Sequence, residues 1–238
     1  MSTSGSDNFV VTRDQIVGDA LTNLRVLPPN ETPDGDMLVH GARILNDLVK
    51  SIDMEGDYLW RMTRNTITTI ASTASYALSA TIIDIDGPMS FLQSGGTSRS
   101  QVERITRKDY MRIPNRTQTG RNPIQFYVEK DLASDGRVQQ TVYFWPVPST
   151  SSDSVEYAAF TRGEDFDTGS NNPDFPQDWI PCLKYGLTMM LAPGYGKTGE
   201  VAMWRDLYET EKAKLVNDDN EKSDLWIAPF ANFGSGAY

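Results

Sequence analysis

Histidine and cysteine, the residue types most often recruited for base, nucleophile and metal chemistry, occur once each in this chain of 238 residues, as His40 and Cys182. A Ser-His-Asp or Cys-His device needs its imidazole beside a nucleophile. His40 lies between Val39 and Gly41, off the main apolar stripe of a helical pattern, and reads as a surface or interface residue. Zinc takes three or four ligands, so one His and one Cys fall short. Cys182 stands among apolar neighbours in another helical pattern and reads as a small buried hydrophobe. Gly194-Tyr195-Gly196-Lys197-Thr198 ends like a phosphate-binding loop. That loop needs a glycine where Leu191 stands and a strand before it, and here a helical pattern precedes, so the segment reads as an interhelical turn. Carboxylates gather at Asp84 and Asp86, and again at Glu164, Asp165 and Asp167. Paired carboxylates can cleave glycosidic bonds or hold calcium. Neither group has the EF-hand ligand order, and a strand-end turn and a solvated acidic loop account for them. No catalytic, cofactor or metal residue is therefore expected, and the chain reads as a structural part of a larger assembly and not as an enzyme.

The residues best suited to recognition lie at the C-terminal end. Trp226, Ile227, Phe230, Phe233 and Tyr238 follow the last helical pattern, set among Gly, Ala and Ser with no helical or strand period. Apolar surface of that extent marks an interaction site, which makes these five residues candidates for docking on a partner, with intrachain packing as the alternative. The formal net charge of −10 repels phosphate backbones and disfavours tight nucleic-acid binding. It is compatible with a wall past which DNA slides. The first residues, MSTSGSDNF, show neither a basic nor an apolar leader region, and no apolar run approaches the roughly 18 residues of a membrane span. A single Cys allows no intramolecular disulfide, so a reducing cytosol is expected until the chain joins its partners.

The elements that position these residues follow from periodicity. Thr12-Arg13-Asp14-Gln15 offers a capping box for a helix from about Arg13 to Leu24. Thr32-Pro33 starts a second, from about Asp34 to Ser51, which Gly56-Asp57 closes. From Arg64 the pattern turns to short β-branched and aromatic runs: Asn65 to Ile70, Tyr76 to Leu78, Thr81 to Ile85, Met89 to Leu92, Val102 to Ile105, Gln125 to Val128, Thr141 to Trp145 and Ser154 to Phe160. Asp135-Gly136 suits a hairpin turn. Helical spacing returns at Trp179 to Leu191 and at Glu200 to Asn217. The fold class expected is α+β: a helical bundle base of about four helices carrying an inserted antiparallel β-domain, sandwich or barrel-like. Residues 1–11 form a flexible arm, 12–60 and 174–218 the bundle, 61–173 the β-domain and 219–238 an extended tail.

Several segments in this order resemble a known family. Thr66, Thr68, Tyr76 and Leu78, the stretch Asn122-Pro123-Ile124-Gln125-Phe126-Tyr127, the strand Val142 to Trp145 running into Pro146-Val147-Pro148, and Phe175-Pro176-Gln177-Asp178-Trp179 with Tyr185-Gly186-Leu187 and Tyr195-Gly196 are similar to those of the head-to-tail adaptor (tail tubular or tail accessory) proteins of short-tailed bacteriophages. The resemblance runs from about Arg13 to Asn217 and stops short of the tail beyond Asp224. It implies a homo-oligomeric ring of about twelve copies, bound to the portal protein on one side and to a tail tube or nozzle protein on the other. Its lumen would make transient, non-specific contact with passing DNA. It implies a virion location in the tail or neck after synthesis in the host cytoplasm. On this reading the C-terminal aromatics anchor in the portal or a neighbouring subunit. Two loops, Gln93 to Ser100 and Met111 to Arg121, face the next tail component, with Gln93, Arg99, Arg112 and Arg116 as candidates. The rival readings are a carbohydrate-binding or carbohydrate-active tail protein using Glu164 or Asp167, and an assembly chaperone absent from the mature particle.

Overall fold

Thr12 opens the first helix as its spacing predicts. Its hydroxyl accepts the Gln15 N–H at 3.4 Å, and Gln15 Oε1 accepts the Thr12 N–H at 2.9 Å, starting α1, Arg13–Asn23. The structure, a computed structural model, describes residues 9–55, 58–134 and 136–219. Asp34 accepts the Met37 N–H at 2.8 Å and opens α2, Gly35–Glu55. This helix runs a turn beyond the expected Ser51 because Ile52 and Asp53 are both buried. The Gly56-Asp57 turn lies outside the described residues. After the strands come α4, Ile180–Leu191, entered through a 3-10 turn at Gln177–Trp179, and α5, Val201–Asp218.

Helix α4 touches α1, α2 and α5, and the apolar stripes of these helices meet in one core built on Ile16, Leu21, Leu45, Ile52, Leu183 and Leu187. Two glycines permit the close approach. A Cβ on Gly41 of α2 would stand 2.5 Å from Val17 Cγ1, and one on Gly186 of α4 would stand 2.9 Å from Leu48 Cδ2 and 3.0 Å from the Tyr208 ring. A larger residue at either position would force the neighbouring side chains to shift. Helix α5 contributes one buried residue, Tyr208, and keeps its other side exposed.

The chain between α2 and α4 forms strands. They are β1 (Met62–Thr68), β2 (Ser75–Ala77), β3 (Ile82–Leu92), β4 (Arg99–Arg104), β5 (Thr119–Gly120), β6 (Gln125–Leu132), β7 (Val138–Trp145), β8 (Val147–Pro148) and β9 (Ser154–Thr161). Seven pair in the order β1-β9-β3-β4-β6-β7-β2, and β5 pairs with β8. The sheet is curled into a half-barrel. Ile67, Phe91, Val102, Phe126, Phe144 and Val155, from strands across its width, converge on a single apolar core. Alternation along each strand supplies that inner face.

The expected strand pairing needs three corrections. Strands β4 and β6 are parallel, with Glu103 opposite Gln125 and Arg104 opposite Phe126, and β5 and β8 are also parallel. Parallel neighbours cannot be joined by a tight hairpin, so residues 105–124 form a crossover. That crossover holds an unexpected helix, α3 (Arg107–Arg112), which makes five helices among the described residues. The runs at Thr81–Ile85 and Met89–Leu92 join in β3, which shifts register between Asp86 and Ser90 where Gly87 takes φ 64°.

Candidate partner-docking surfaces

The segment after β9 returns to the helices along α2. Asn46, Lys50 and Asp53 fall at i, i+4 and i+7 and share one side of that helix. Asn46 Oδ1 accepts the Phe166 N–H at 2.9 Å and its Nδ2 donates to the Phe166 carbonyl at 3.5 Å. Lys50 meets Asp165 at 2.5 Å and donates to the Gly163 carbonyl at 3.4 Å. Asp53 accepts the Gly163 N–H at 3.1 Å. Farther on, the Gly169 and Asn171 carbonyls accept the N–H groups of Asp14 (3.3 Å) and Arg13 (2.8 Å), donors that the first turn of α1 leaves without an intrahelical acceptor. Phe166 is buried in the helical core. The loop read as merely solvated is thus fastened along one side, while Glu164 and Asp167 remain exposed on the other.

The 3-10 turn Leu59–Arg61 leads from the helices into β1. The Arg61 side chain is 4% exposed, with Asp53 at 3.1 Å and the rings of Trp60 and Phe175 at 4.3 and 4.7 Å from its guanidinium carbon. Burial pushes the Asp53 carboxyl up and the Arg61 guanidinium down, outweighing their mutual attraction and the Gly163 N–H at Asp53. The charges face each other without hydrogen-bond alignment, leaving Asp53 Oδ1 and the guanidinium nitrogens without a hydrogen-bond partner among the described residues. This joint brings together α2, the turn and the post-β9 segment.

At the far end of the sheet Asp153 holds the tip. It is 1% exposed and its carboxylate accepts the Ser94 N–H at 2.7 Å and the Thr150 hydroxyl, while its carbonyl accepts the Thr69 N–H at 2.8 Å and its N–H donates to the Thr69 hydroxyl at 3.2 Å. Burial works against its charge, but the Thr150 hydroxyl, the Ser94 N–H and Arg121 more than offset it and hold the carboxyl below the usual range. No sequence motif singled this residue out. Beside it Gln93 opens the β3–β4 turn, its carbonyl accepting the Gly96 N–H at 2.9 Å.

The four candidates for the tail side fall on two connections. Gln93 and Arg99 stand at the β3–β4 tip, and Arg99 is engaged by both guanidinium nitrogens with Glu156 of β9 at 2.8 and 2.7 Å. Arg112 and Arg116 belong to the crossover that follows β4 in the chain. Buried Tyr110 of α3 packs at 5.2 Å from Tyr127 and 5.8 Å from Tyr143 on the outer face of β6 and β7. The Trp145 indole donates to the Asn115 carbonyl at 3.0 Å. Arg116 leans over the Tyr110 ring at 5.9 Å, and Arg112 lies 3.7 Å from Asp109. Thr106 caps α3 by accepting the Asp109 N–H at 3.2 Å, and this Thr-x-x-Asp signature was legible in the sequence.

Several of the residues weighed for chemistry are occupied structurally, whereas Asp86, Glu164 and Asp167 are exposed. Cys182 is fully buried, and burial pushes its thiol up to about 12. His40 Nδ1 lies 3.3 Å from Arg43 Nη2. Gly194 to Thr198 forms the turn from α4 towards α5, with Gly196 at φ 72°. Asp84 loses some charge stability to burial. The Ile85 N–H at 2.8 Å, Arg104 at 3.0 Å and Lys130 at 3.2 Å more than restore it and hold the carboxyl below its ordinary value. Among the described residues no three His, Cys, Asp or Glu gather as metal ligands, and no helix is long and apolar enough to cross a membrane. Trp226, Ile227, Phe230, Phe233 and Tyr238 lie outside the described residues.

Comparison with curated proteins yields no match. A protein-family comparison does: the family described as SU10 adaptor protein matches residues 14–231, from the first turn of α1 past Phe230. That span includes the helices, the half-barrel, the basic crossover and the first part of the aromatic tail, so the chain belongs to the SU10 adaptor protein family, a family of phage head-to-tail adaptors.

Proposed function

We propose that this chain is a structural subunit of a head-to-tail connector, and not an enzyme. Copies form an oligomeric ring, about twelve by resemblance, that joins the portal to the tail tube or nozzle in the virion neck and lines the DNA exit channel. The observation that carries this reading is the family match over residues 14–231. The fold is compatible with it: Cys182 is buried, Asp84 is held by Arg104 and Lys130, and much of the sheet's outer face is exposed. In this reading α1, α2, α4 and α5 form a bundle that serves as the base of each subunit. Trp226, Ile227, Phe230, Phe233 and Tyr238 anchor in the portal or a neighbouring copy. Gln93, at the β3–β4 tip, faces the next tail component, whereas Arg99 braces that tip through Glu156.

The test is reconstitution of the full chain with the portal protein of the phage that encodes it, followed by mass measurement of the complex. A portal-bound ring is expected, with weaker binding when residues from Leu225 onward are removed. A chain that never joins portal sinks the connector reading. Full binding by the shortened chain removes the tail from the docking surface.

A further inference from the structure

Two polar connections of this chain carry opposite charge and leave most of it exposed. From Arg99 to Arg121 there are seven Lys or Arg and two Asp or Glu, in a chain whose net charge is −10. Arg99 and Arg104 are taken up by Glu156 and Asp84. Arg107, Lys108, Arg112, Arg116 and Arg121 are exposed, and Arg107 and Lys108 have no ion-pair partner among the described residues. Met111 stands among them, 49% exposed. From Glu164 to Asp178 there are five carboxylates and no Lys or Arg. Asp165 meets Lys50, and Asp174 lies 4.0 Å from Arg61. Glu164, Asp167 and Asp178 are exposed with no partner among the described residues.

Both connections are fixed rather than free to seek each other. Tyr110 pins the basic one to the outer face of β6 and β7, and Phe166 pins the acidic one to α2. No ion pair joins them within the subunit among the described residues. Like charges crowded on each surface repel one another, and an opposite surface relieves both. We propose that the basic crossover of one copy docks on the acidic 164–178 segment of the next. Because the two surfaces differ, each copy offers one of each, and the contact is heterologous: it propagates until rotation closes a ring. This rests on the ring reading above and names the surfaces that make it. Exposed Arg and Met suit a protein interface, and the same chain supplies the matching acidic surface, which favours a second copy over nucleic acid.

Sedimentation velocity of the full chain tests this at about 50 and 500 mM salt, where the screening length is about 14 and about 4 Å. Self-association is expected at low salt and its loss at high salt. One variant neutralises the crossover (Arg107→Gln, Lys108→Gln, Arg112→Gln), and another the acidic segment (Glu164→Gln, Asp167→Asn, Asp178→Asn). These positions are exposed, and unchanged circular dichroism verifies the fold. Each variant alone should associate about tenfold or more weakly. Mixed together, they should form a pair that stops at two copies, because only one native contact remains. Wild-type protein that stays monomeric at low salt overturns the proposal, while portal binding by that same protein keeps the connector reading. Variants that associate like wild type also overturn it. Binding of a labelled DNA duplex that the crossover variant loses, with self-association unchanged, reassigns the basic surface to nucleic acid.

Discussion

The segment after β9 and the crossover after β4 are both long polar connections, and each is held by one buried aromatic ring. Phe166 enters the helical core, while Tyr110 lies flat against the outside of the sheet. The difference lies in what grips the backbone. Asn46, Lys50 and Asp53 of α2 hold the acidic segment, and its carbonyls cap α1 in return, so it belongs to the helices' own hydrogen-bond network. The crossover has a six-residue helix, the Trp145 bond and the short β5–β8 pairing. One connection is structural along one side and charged along the other; the second is mounted on the sheet as a separate layer. The first should therefore unfold with the whole protein, and the second by itself.

The largest effect should come from breaking the joint under the acidic segment. Arg61→Met leaves Asp53 buried without its counter-charge and should cost about 4 kcal/mol, read from urea unfolding. Arg61→Met with Asp53→Leu removes both charges and should recover most of that loss. A double variant as unstable as the single one would mean that the guanidinium acts mainly through Trp60 and Phe175. Next comes Phe166→Ala, which should cost about 3 kcal/mol globally by leaving a cavity against α2. A purely local loosening of residues 162–176 after that change would erase the contrast between the two connections.

Tyr110→Ala should behave differently. Global stability should fall by less than about 1 kcal/mol, while α3 loses hydrogen-exchange protection. The helix is too short to persist without packing, and Tyr110 is its one buried side chain. Loss of the whole sheet in that variant would show that the crossover is part of the half-barrel's core after all.

What was legible in the sequence follows the same division. The helices α1, α2 and α4 announced themselves through apolar stripes, because a buried face recurs every three or four residues, while α5 shows the spacing but buries only Tyr208. Most strands did so through β-branched runs. Helix α3 has too few residues for a period, and only its Thr106 cap could have disclosed it. The parallel step between β4 and β6 involves two residue pairs and depends on where the crossover returns, which local pattern does not encode. The grip of α2 on Gly163 and Phe166 spans more than a hundred residues of chain, and its polar members look like an ordinary solvated side until their partner is placed. Of the residues proposed for docking, Gln93 and Arg99 stand at the β3–β4 tip and Arg112 and Arg116 in the crossover, as their positions in the chain imply.

The smallest effect should appear at the tip of the sheet, and its pH dependence has the opposite sign to that of the joint. Asp53 is raised from its ordinary value, so the stability it contributes is whole below that value and is lost as pH rises through the folded one. Asp153 is depressed below 3.8, so its contribution is whole above that value and is lost as pH falls through the depressed one. The Ser94 amide, held at 2.7 Å by this carboxylate, should therefore keep its exchange protection through the ordinary carboxylate range and lose it only as pH falls through the depressed value of Asp153. Asp153→Asn should show the loosened tip across the whole range, with little change in the global transition. If Ser94 protection in the wild type is flat through acid pH, the tip is held by Thr69 and the backbone instead. In that case the surface at Gln93 is as rigid as the sheet beneath it.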